Sequence, residues 1–189
     1  MSRIHLFFTQ FFGYLWHLVL FVVILPFILI ELAQGLDYLI FNSLLNFDYL
    51  TWANFIPTEV ANLTALAVAA FGLLIIIESS ITLYQEAHTF PFNSLPHDEM
   101  TPRQLSTSGW YARVRHPMIF GYLMALVGVA VYLKSPTLLL WWIPIAAVGL
   151  LEYALMVEER QLKQWFGEDY IKYQKQVPPL VPKFLRRTT

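Results

Sequence analysis

The sequence of 189 residues contains no cysteine, so disulfides, thiolate metal sites and cysteine nucleophiles are excluded. It is also poor in charge. Asp, Glu, Lys and Arg make up 13% of the residues, whereas a soluble domain carries about a quarter. Hydrophobic residues reach 57% and the mean hydropathy is +0.53. This balance predicts an all-α integral membrane protein.

Two further absences narrow the function. The histidines show no paired spacing of the kind that binds a metal, so we expect no metal centre; they are His5, His17, His88, His97 and His116. The basic residues follow the borders of the hydrophobic segments and form no separate patch, so we expect no nucleic-acid partner. The first hydrophobic run lacks a small-residue cleavage site, and we expect it to remain in the mature protein.

Hydrophobic runs near the ~20 residues needed to cross a bilayer define the architecture. The predicted spans are Phe11–Ile30, Val60–Ile77, Pro117–Leu133 and Thr137–Leu151. Glu31 ends the first of them. The stretch Leu36–Ile56 is broken by Asp37 and Asp48, and we interpret it as an interfacial segment lying on the membrane. A distorted fifth span is the alternative.

The last two predicted spans form a helical hairpin around Lys134-Ser135-Pro136. Gly121, Ala125 and Gly128 are expected to let these two helices approach closely. We divide the chain into an N-terminal membrane region, 1–84, and a cofactor-binding region, 85–189, with a polar loop, the hairpin and an amphipathic tail from Glu152. The tail is expected to continue the fourth helix past the bilayer.

The placement of lysine and arginine predicts the orientation. With four spans, eleven of these residues lie on one side of the membrane and only Lys134 lies on the other. The positive-inside rule then places both termini in the cytoplasm. The polar loop and the tail share that side, which is the cytoplasmic face of the inner membrane if the source is bacterial.

The stretch Ser108–Gly121 concentrates the polar chemistry of the hairpin. Proline is favoured at the first position of a helix, so Pro117 opens a membrane helix with Arg113, Arg115 and His116 gathered at its N-terminus. Free N–H groups and the positive end of the helix dipole favour anions there. The alternative is that these arginines only orient the helix.

Two adjacent glutamates lie at the cytoplasmic end of the fourth span. Acidic residues near a membrane helix end need a partner or a role, although a solvated helix end explains any single one. Glu158 and Glu159 lie opposite the Arg/His group across the hairpin. Together the two groups suit a zwitterionic ligand, and S-adenosyl-L-methionine fits that description.

Two blocks carry a family resemblance. The run Gly-Trp-Tyr-Ala-Arg-Val-Arg-His-Pro-Met-Ile-Phe-Gly and the segment from Glu158 to Pro178 resemble the isoprenylcysteine carboxyl methyltransferase and phospholipid methyltransferase superfamily. The resemblance covers about the last hundred residues. It implies a membrane-embedded methyltransferase that uses S-adenosyl-L-methionine and acts on a lipid or other apolar acceptor.

The resemblance also implies a set of cofactor-binding residues, and it assigns no catalytic residue. The set is Arg103, Gln104, Leu105, Ser106, Tyr111, His116, Pro117, Met118, Ile119, Glu158 and Glu159. The anion site at the start of the Pro117 helix adds Arg115 to it. Tyr170, Tyr173 and Pro178 match a tail that closes over the cofactor. Two positions depart from the pattern: Ile119 stands where an aromatic residue is usual, and Ala154 stands where the prenylcysteine enzymes carry an arginine.

Two other functions are kept as alternatives. Sterol-reductase-like membrane enzymes resemble this hairpin and bind NADPH, but they carry Asn-Tyr after Arg-His-Pro, where this chain has Met118-Ile119. A non-catalytic membrane scaffold would keep the hairpin for packing alone. A missing acid/base pair does not exclude methyl transfer, because the sulfonium is already activated and catalysis is mostly positioning and desolvation.

Overall fold

The computed structural model describes Trp16 and residues 19–45, 57–87 and 104–183. All regular secondary structure in these residues is helical, which confirms the predicted all-α fold. In this part of the chain three helices are long and apolar enough to cross a membrane: Leu25–Leu44, Thr58–Ala87 and the 39-residue helix Leu138–Gln176. Pro117–Leu133 is a shorter apolar helix. The protein is an integral membrane protein.

The described α-helices are α1 (Leu25–Asp37), α2 (Thr58–Ala87), α3 (Pro117–Leu133), α4 (Ile143–Tyr153) and α5 (Glu159–Gln176). Turns of π-helix extend α1 on both sides, at Leu20–Ile24 and Tyr38–Leu44. Two more, at Leu138–Trp142 and Ala154–Glu158, flank α4 and join it directly to α5. The fourth helix therefore continues well beyond a single membrane span, as predicted.

The prediction that the first helix ends at Glu31 is wrong, as is the start of an interfacial segment at Leu36. The helix runs through Glu31 and Asp37 to Leu44. Asp37 is fully buried. Its carboxylate accepts hydrogen bonds from the Ser135 hydroxyl and from the Thr137 N–H, the latter at 3.0 Å. A polar residue with such partners does not break the helix. Residues 11–15, 17–18 and 46–56 of the two predicted segments lie outside the described residues.

Small residues bring α3 close to α2. The prediction that they bring α3 close to α4 is wrong. A Cβ atom on Gly128 would lie 2.6 Å from the carbonyl oxygen of Ala65, and one on Gly121 would lie 2.6 Å from that of Gly72. Real Cβ atoms essentially never come that close, so both positions need glycine. The pairing of 65 with 128 and 72 with 121 makes the two helices antiparallel. Helix α3 packs far more extensively on α2 than on α4.

The helices alternate in direction, which defines two ends of the bundle. At one end, Asp37 of α1 meets the turn between α3 and α4, and Lys134 Nζ lies 3.5 Å from the Thr58 hydroxyl at the start of α2. We call this the turn end. At the other end α2 finishes, α3 begins and α4 passes into α5. We call this the site end, because the predicted site residues that the structure describes gather there.

Candidate functional site

The segment before α3 is held against the last turns of α2. The Ser108 hydroxyl donates to the carboxylate of Glu86, and the Trp110 indole N–H donates to Glu78 Oε2 at 2.9 Å. Gly109 has φ +54°, a left-handed conformation that favours glycine. This leads into a short 3₁₀ turn, Gly109–Ala112. The end of α2 thus positions the motif residues that follow.

Trp110 is the buried side chain of this turn. It packs edge to face against Phe71 of α2, with ring centroids 6.0 Å apart. The guanidinium of Arg113 lies over the Trp110 ring, 5.3 Å from the ring centroid. This cation–π contact stabilises the turn. It also directs Arg113 to Trp110, so Arg113 does not join Arg115 and His116 as the sequence predicted.

Helix α3 begins at Pro117, as predicted, with His116 as its N-cap residue. The chain beyond α5 returns alongside this start. The N–H groups of Arg115 and His116 donate to the carbonyls of Pro178 and Pro179 at 2.9 and 3.2 Å. These two backbone donors are therefore not free for a ligand. The first-turn N–H groups of Met118 and Ile119 have no acceptor within the helix, so they keep the anion-binding character of the helix start.

Glu159 lies at the centre of the site and is almost completely buried, with 2% exposure. Its Oε1 atom lies 3.2 Å from Arg115 Nη1 and 3.1 Å from His116 Nε2. Its Oε2 atom accepts a hydrogen bond of 2.6 Å from the Gln174 side-chain amide. A buried charge needs partners of this kind. The carboxylate is therefore committed to contacts within the protein.

Glu158 is placed differently. Its side chain is 53% exposed, and its Oε2 atom lies 3.2 Å from His116 Nδ1. One face of this carboxylate is therefore open to a ligand. Both glutamates were predicted to bind the cofactor. The structure separates them into an internal partner, Glu159, and an outward-facing group, Glu158.

His116 bridges the two glutamates as a cation. Burial alone would lower its pKa, but hydrogen bonds to Glu158 and Glu159 outweigh burial and raise the pKa from 6.5 to about 9. A protonated imidazole donates from both ring nitrogens. That matches one carboxylate facing each nitrogen.

Helix α5 folds back on itself to cover the site. Gly167 has φ +50° and ψ −122°, a non-helical conformation that interrupts the helix. The half of α5 after this glycine returns toward the start of α3. The Tyr173 hydroxyl donates to the Tyr111 carbonyl at 2.7 Å. Tyr170, Tyr173 and Val177 form a buried cluster against which Leu105 packs.

Three buried polar atoms in this region have no hydrogen-bond partner among the described residues: Ser106 Oγ, Arg115 Nε and Tyr170 OH. Buried polar groups are normally paired. Arg115 belongs to the Glu159 network, and Tyr170 belongs to the cluster that covers it. Ser106 directly follows Leu105, which packs against that cluster. Unfilled hydrogen-bonding capacity in one region is typical of a site that receives a polar ligand.

The structure brings most of the predicted site residues together. Arg115, His116, Glu158 and Glu159 form one network, and Tyr111 and Leu105 are tied to the folded-back half of α5. Ile119 packs toward the core between α1, α3 and α4. Gln104 is exposed and Ser106 is buried. Arg103 lies outside the described residues.

The sequence did not lead us to place Gln174 or Glu78 in the site. Glu78 lies outside the two blocks that carry the family resemblance. Gln174 lies inside the second block, Glu158 to Pro178, but the resemblance assigned it no role. The acidic residue at the end of an apolar run was a usable signal for Glu78. For Gln174 the usable signal was Gly167, because a glycine inside a helical pattern marks a change of direction.

Residues 60–169 match the phospholipid methyltransferase family. The chain belongs to this family. It is 35% identical over 121 residues to protein-S-isoprenylcysteine O-methyltransferase B of Arabidopsis thaliana, covering 61% of this chain and 59% of that one. It is 36% identical over 86 residues to the methanethiol S-methyltransferase of Pseudomonas deceptionensis, covering 40% and 28%.

A solved structure of isoprenylcysteine carboxyl methyltransferase, described as a eukaryotic intramembrane Ras methyltransferase, is 23% identical. Its TM-score is 0.44, and the alignment covers 83% of this chain and 61% of that one. The chain spans between 28% and 59% of the two curated relatives named above.

The phospholipid methyltransferase match begins at residue 60 and so includes α2, which the resemblance seen in the last hundred residues left out. This helix supplies Glu78 and Glu86 to the turn that precedes α3. Because the relatives are named methyltransferases, they imply a methyl donor.

Proposed function

We propose that this protein is a membrane-embedded methyltransferase that uses S-adenosyl-L-methionine and transfers the methyl group to a lipid or other apolar acceptor. The observation that carries the proposal is the Arg115–His116–Glu158–Glu159 network. It lies at the end of an apolar helical hairpin, within the residues that match the phospholipid methyltransferase family.

The residues at the site end fit the polar groups of this cofactor. The open face of the Glu158 carboxylate suits an ammonium group or ribose hydroxyls. The N–H groups of Met118 and Ile119 at the start of α3 suit a carboxylate. Ser106, Arg115 and Tyr170 each carry a buried polar atom without a partner among the described residues, and these atoms can complete the hydrogen bonding.

When bound, the cofactor supplies a methyl group already activated on a sulfonium, so the donor needs no activation by a metal or a base of the protein. The chain's own residues bind and orient the cofactor. Glu159 fixes Arg115 and His116 on the inner side. The half of α5 after Gly167 and the segment 177–183 pack over Arg115 and His116 and shield them from water. Positioning and desolvation of this kind are the main contributions a protein makes to methyl transfer.

The apolar acceptor follows from where the site lies. The site end joins helices whose outer faces are apolar, with exposed side chains such as Ile77, Val148 and Met156. Ala154 is fully buried one turn before Glu158. At this position the prenylcysteine enzymes are expected to carry an arginine for the substrate carboxylate, so the acceptor proposed here is broader than a prenylcysteine.

A pair of titrations tests the cofactor. Purified protein in detergent should bind S-adenosylhomocysteine, and its unfolding midpoint should rise with ligand concentration, because a ligand that prefers the native state stabilises it. NADPH should have no such effect. Stabilisation by NADPH alone would assign the protein to the reductase class, and a response to neither would contradict the proposal.

We also propose that the site faces the cytoplasm, because the basic residues cluster on the side of the site end and Lys134 lies at the turn end. Reporter fusions at residue 189 and in the 85–108 segment should both report a cytoplasmic location. Reporters on opposite sides of the membrane would contradict the four-span topology.

A further inference from the structure

Gln174 contacts Glu159, a residue of the same helix that would be out of its reach if the helix were straight. An α-helix rises 1.5 Å per residue, so residues 159 and 174 of one straight helix would be about 22 Å apart. Instead Gln174 Nε2 lies 2.6 Å from Glu159 Oε2. The break at Gly167 makes this contact possible.

Among the contacts of Glu159, that with Gln174 is the shortest. Arg115 and His116 both lie on the Oε1 side, at 3.2 and 3.1 Å. The Oε2 atom has the Gln174 amide and a longer contact, 3.4 Å, with Arg115 Nη1. Without Gln174, that longer contact is the one that Oε2 keeps among the described residues. The carboxylate would then be free to rotate away from the orientation that aligns Arg115 and His116.

Resting on the proposed function, we infer that Gln174 is a positioning residue that fixes Glu159, and through it Arg115 and His116, for cofactor binding at Glu158. It acts from outside the residues 60–169 that match the family. The amide is a neutral donor, so it orients the carboxylate without adding a charge to the network. The same fold-back places Tyr173 on the Tyr111 carbonyl, which anchors the helix that carries Gln174.

The first test is a matched pair of substitutions on α5. Gln174→Leu keeps the size of the side chain but removes the donor. Gln164→Leu makes the same change at an exposed position of the same helix. Calorimetric titration of S-adenosylhomocysteine should show a loss of about tenfold in affinity for Gln174→Leu, the value of a hydrogen bond to a charged group. Gln164→Leu should bind within twofold of wild type.

The second test separates orientation from mere packing by changing the pH. Gln174→Glu places a second carboxyl group beside Glu159, and two such groups share a proton more readily than both ionise. The charged and titratable groups around Glu159 are Arg115, His116, Glu158, Lys163, Tyr170 and Tyr173. At pH 8.5 the variant should bind S-adenosylhomocysteine at least tenfold more weakly than wild type at the same pH.

At pH 5.5 the introduced carboxyl retains a proton and can donate to Glu159 as the amide does. The affinity relative to wild type should then recover to within about threefold. Gln174→Leu should show no recovery, and Gln164→Glu should follow wild type at both pH values. If Gln174→Leu does not fold, recovery of Gln174→Glu at low pH still supports the inference, and its absence overturns it.

A ligand-free measurement keeps this inference distinct from the proposed function. NMR titration of ¹³C-labelled histidine, assigned with His116→Gln, reports the pKa of His116. In Gln174→Leu that pKa should fall from about 9 toward 6.5, because Glu159 no longer holds its orientation. A folded wild-type protein that does not bind S-adenosylhomocysteine contradicts the proposed function alone. The histidine titration then tests the positioning role of Gln174 by itself. An unchanged pKa in Gln174→Leu overturns the positioning role, as do equal affinities in wild type and Gln174→Leu.

Discussion

Among the described residues, each end of the helical bundle buries one carboxylate: Asp37 at the turn end and Glu159 at the site end, with 0% and 2% exposure. Their partners differ. Asp37 accepts from the Ser135 hydroxyl and the Thr137 N–H, which are neutral groups at the start of the helix leading into α4. Glu159 lies between two basic side chains and an amide.

The difference teaches how a structural contact can be told from a binding site. At the turn end, the Thr137 hydroxyl also donates to the Ala33 carbonyl, at 2.9 Å, and the Ser135 hydroxyl accepts from the Leu138 N–H. Among the described residues, no buried polar side-chain atom of this group lacks a hydrogen-bond partner. At the site end, Arg115 Nε and Tyr170 OH are buried and have no hydrogen-bond partner among the described residues. A closed network stabilises the fold, and an open one is available to a ligand.

The largest expected effect is on stability at the turn end. Asp37→Ala removes the acceptor of two buried hydrogen bonds, each worth about 1.5–3 kcal/mol when one partner is charged. We expect a loss of about 3 kcal/mol or more, seen as a lower unfolding midpoint in detergent. Asp37→Asn keeps an acceptor for Thr137 and should lose less. Affinity for S-adenosylhomocysteine, measured well below the midpoint, should stay within twofold of wild type, and a tenfold loss would show that the two ends are coupled.

At the site end we expect the opposite pattern, with affinity lost and stability kept. Glu158→Gln preserves size but removes the charge of the open carboxylate. A charge-assisted hydrogen bond of about 1.5–3 kcal/mol corresponds to a loss of about tenfold to a hundredfold in S-adenosylhomocysteine affinity. Glu168→Gln, at an exposed position on α5, is the matched control and should bind like wild type. Equal calorimetric affinities for all three proteins would remove Glu158 from the site.

The comparison also shows what the sequence could predict. The core of the site followed from local signals: Pro117 marks the start of α3, and two adjacent glutamates follow the predicted fourth span, which returns beside it. A short turn between two helices brings those residues together without further information. Arg115, His116, Glu158 and Glu159 were therefore predictable as a group.

The rest depended on contacts that are distant in sequence. Asp37 was expected to break the stretch Leu36–Ile56, because its partners lie about a hundred residues later. The glycines of α3 were assigned to the hairpin, since nothing local shows that Gly72 of α2 is the closer neighbour. Gln174 could be placed only once the direction of the chain after Gly167 was known. Side chains satisfied by remote partners are the ones that pattern reasoning misplaces.

A smaller effect concerns pH and the site end alone. The pKa of His116 is raised in the folded protein, from 6.5 to about 9. Its contribution to stability is therefore fully present below pH 6.5 and is lost as the pH rises through about 9. We expect the unfolding midpoint of the ligand-free protein to fall by a few degrees between pH 7 and pH 10. His116→Gln should fall less over the same range, and parallel curves for the two proteins would contradict the charged state of His116.

The smallest effect is expected for a charge near the network but outside its contacts. Lys163 is exposed on α5, and its ammonium acts on Glu159 only through its field. Exposed charges contribute about 0–1 kcal/mol and are screened by salt. Lys163→Gln should therefore bind S-adenosylhomocysteine within about threefold of wild type at low ionic strength, and identically at 0.5 M salt. A tenfold loss that persists in salt would mean that Lys163 contacts the ligand directly. The site would then extend along the exposed face of α5, and the distinction between an inner network and an outer helix surface would no longer hold.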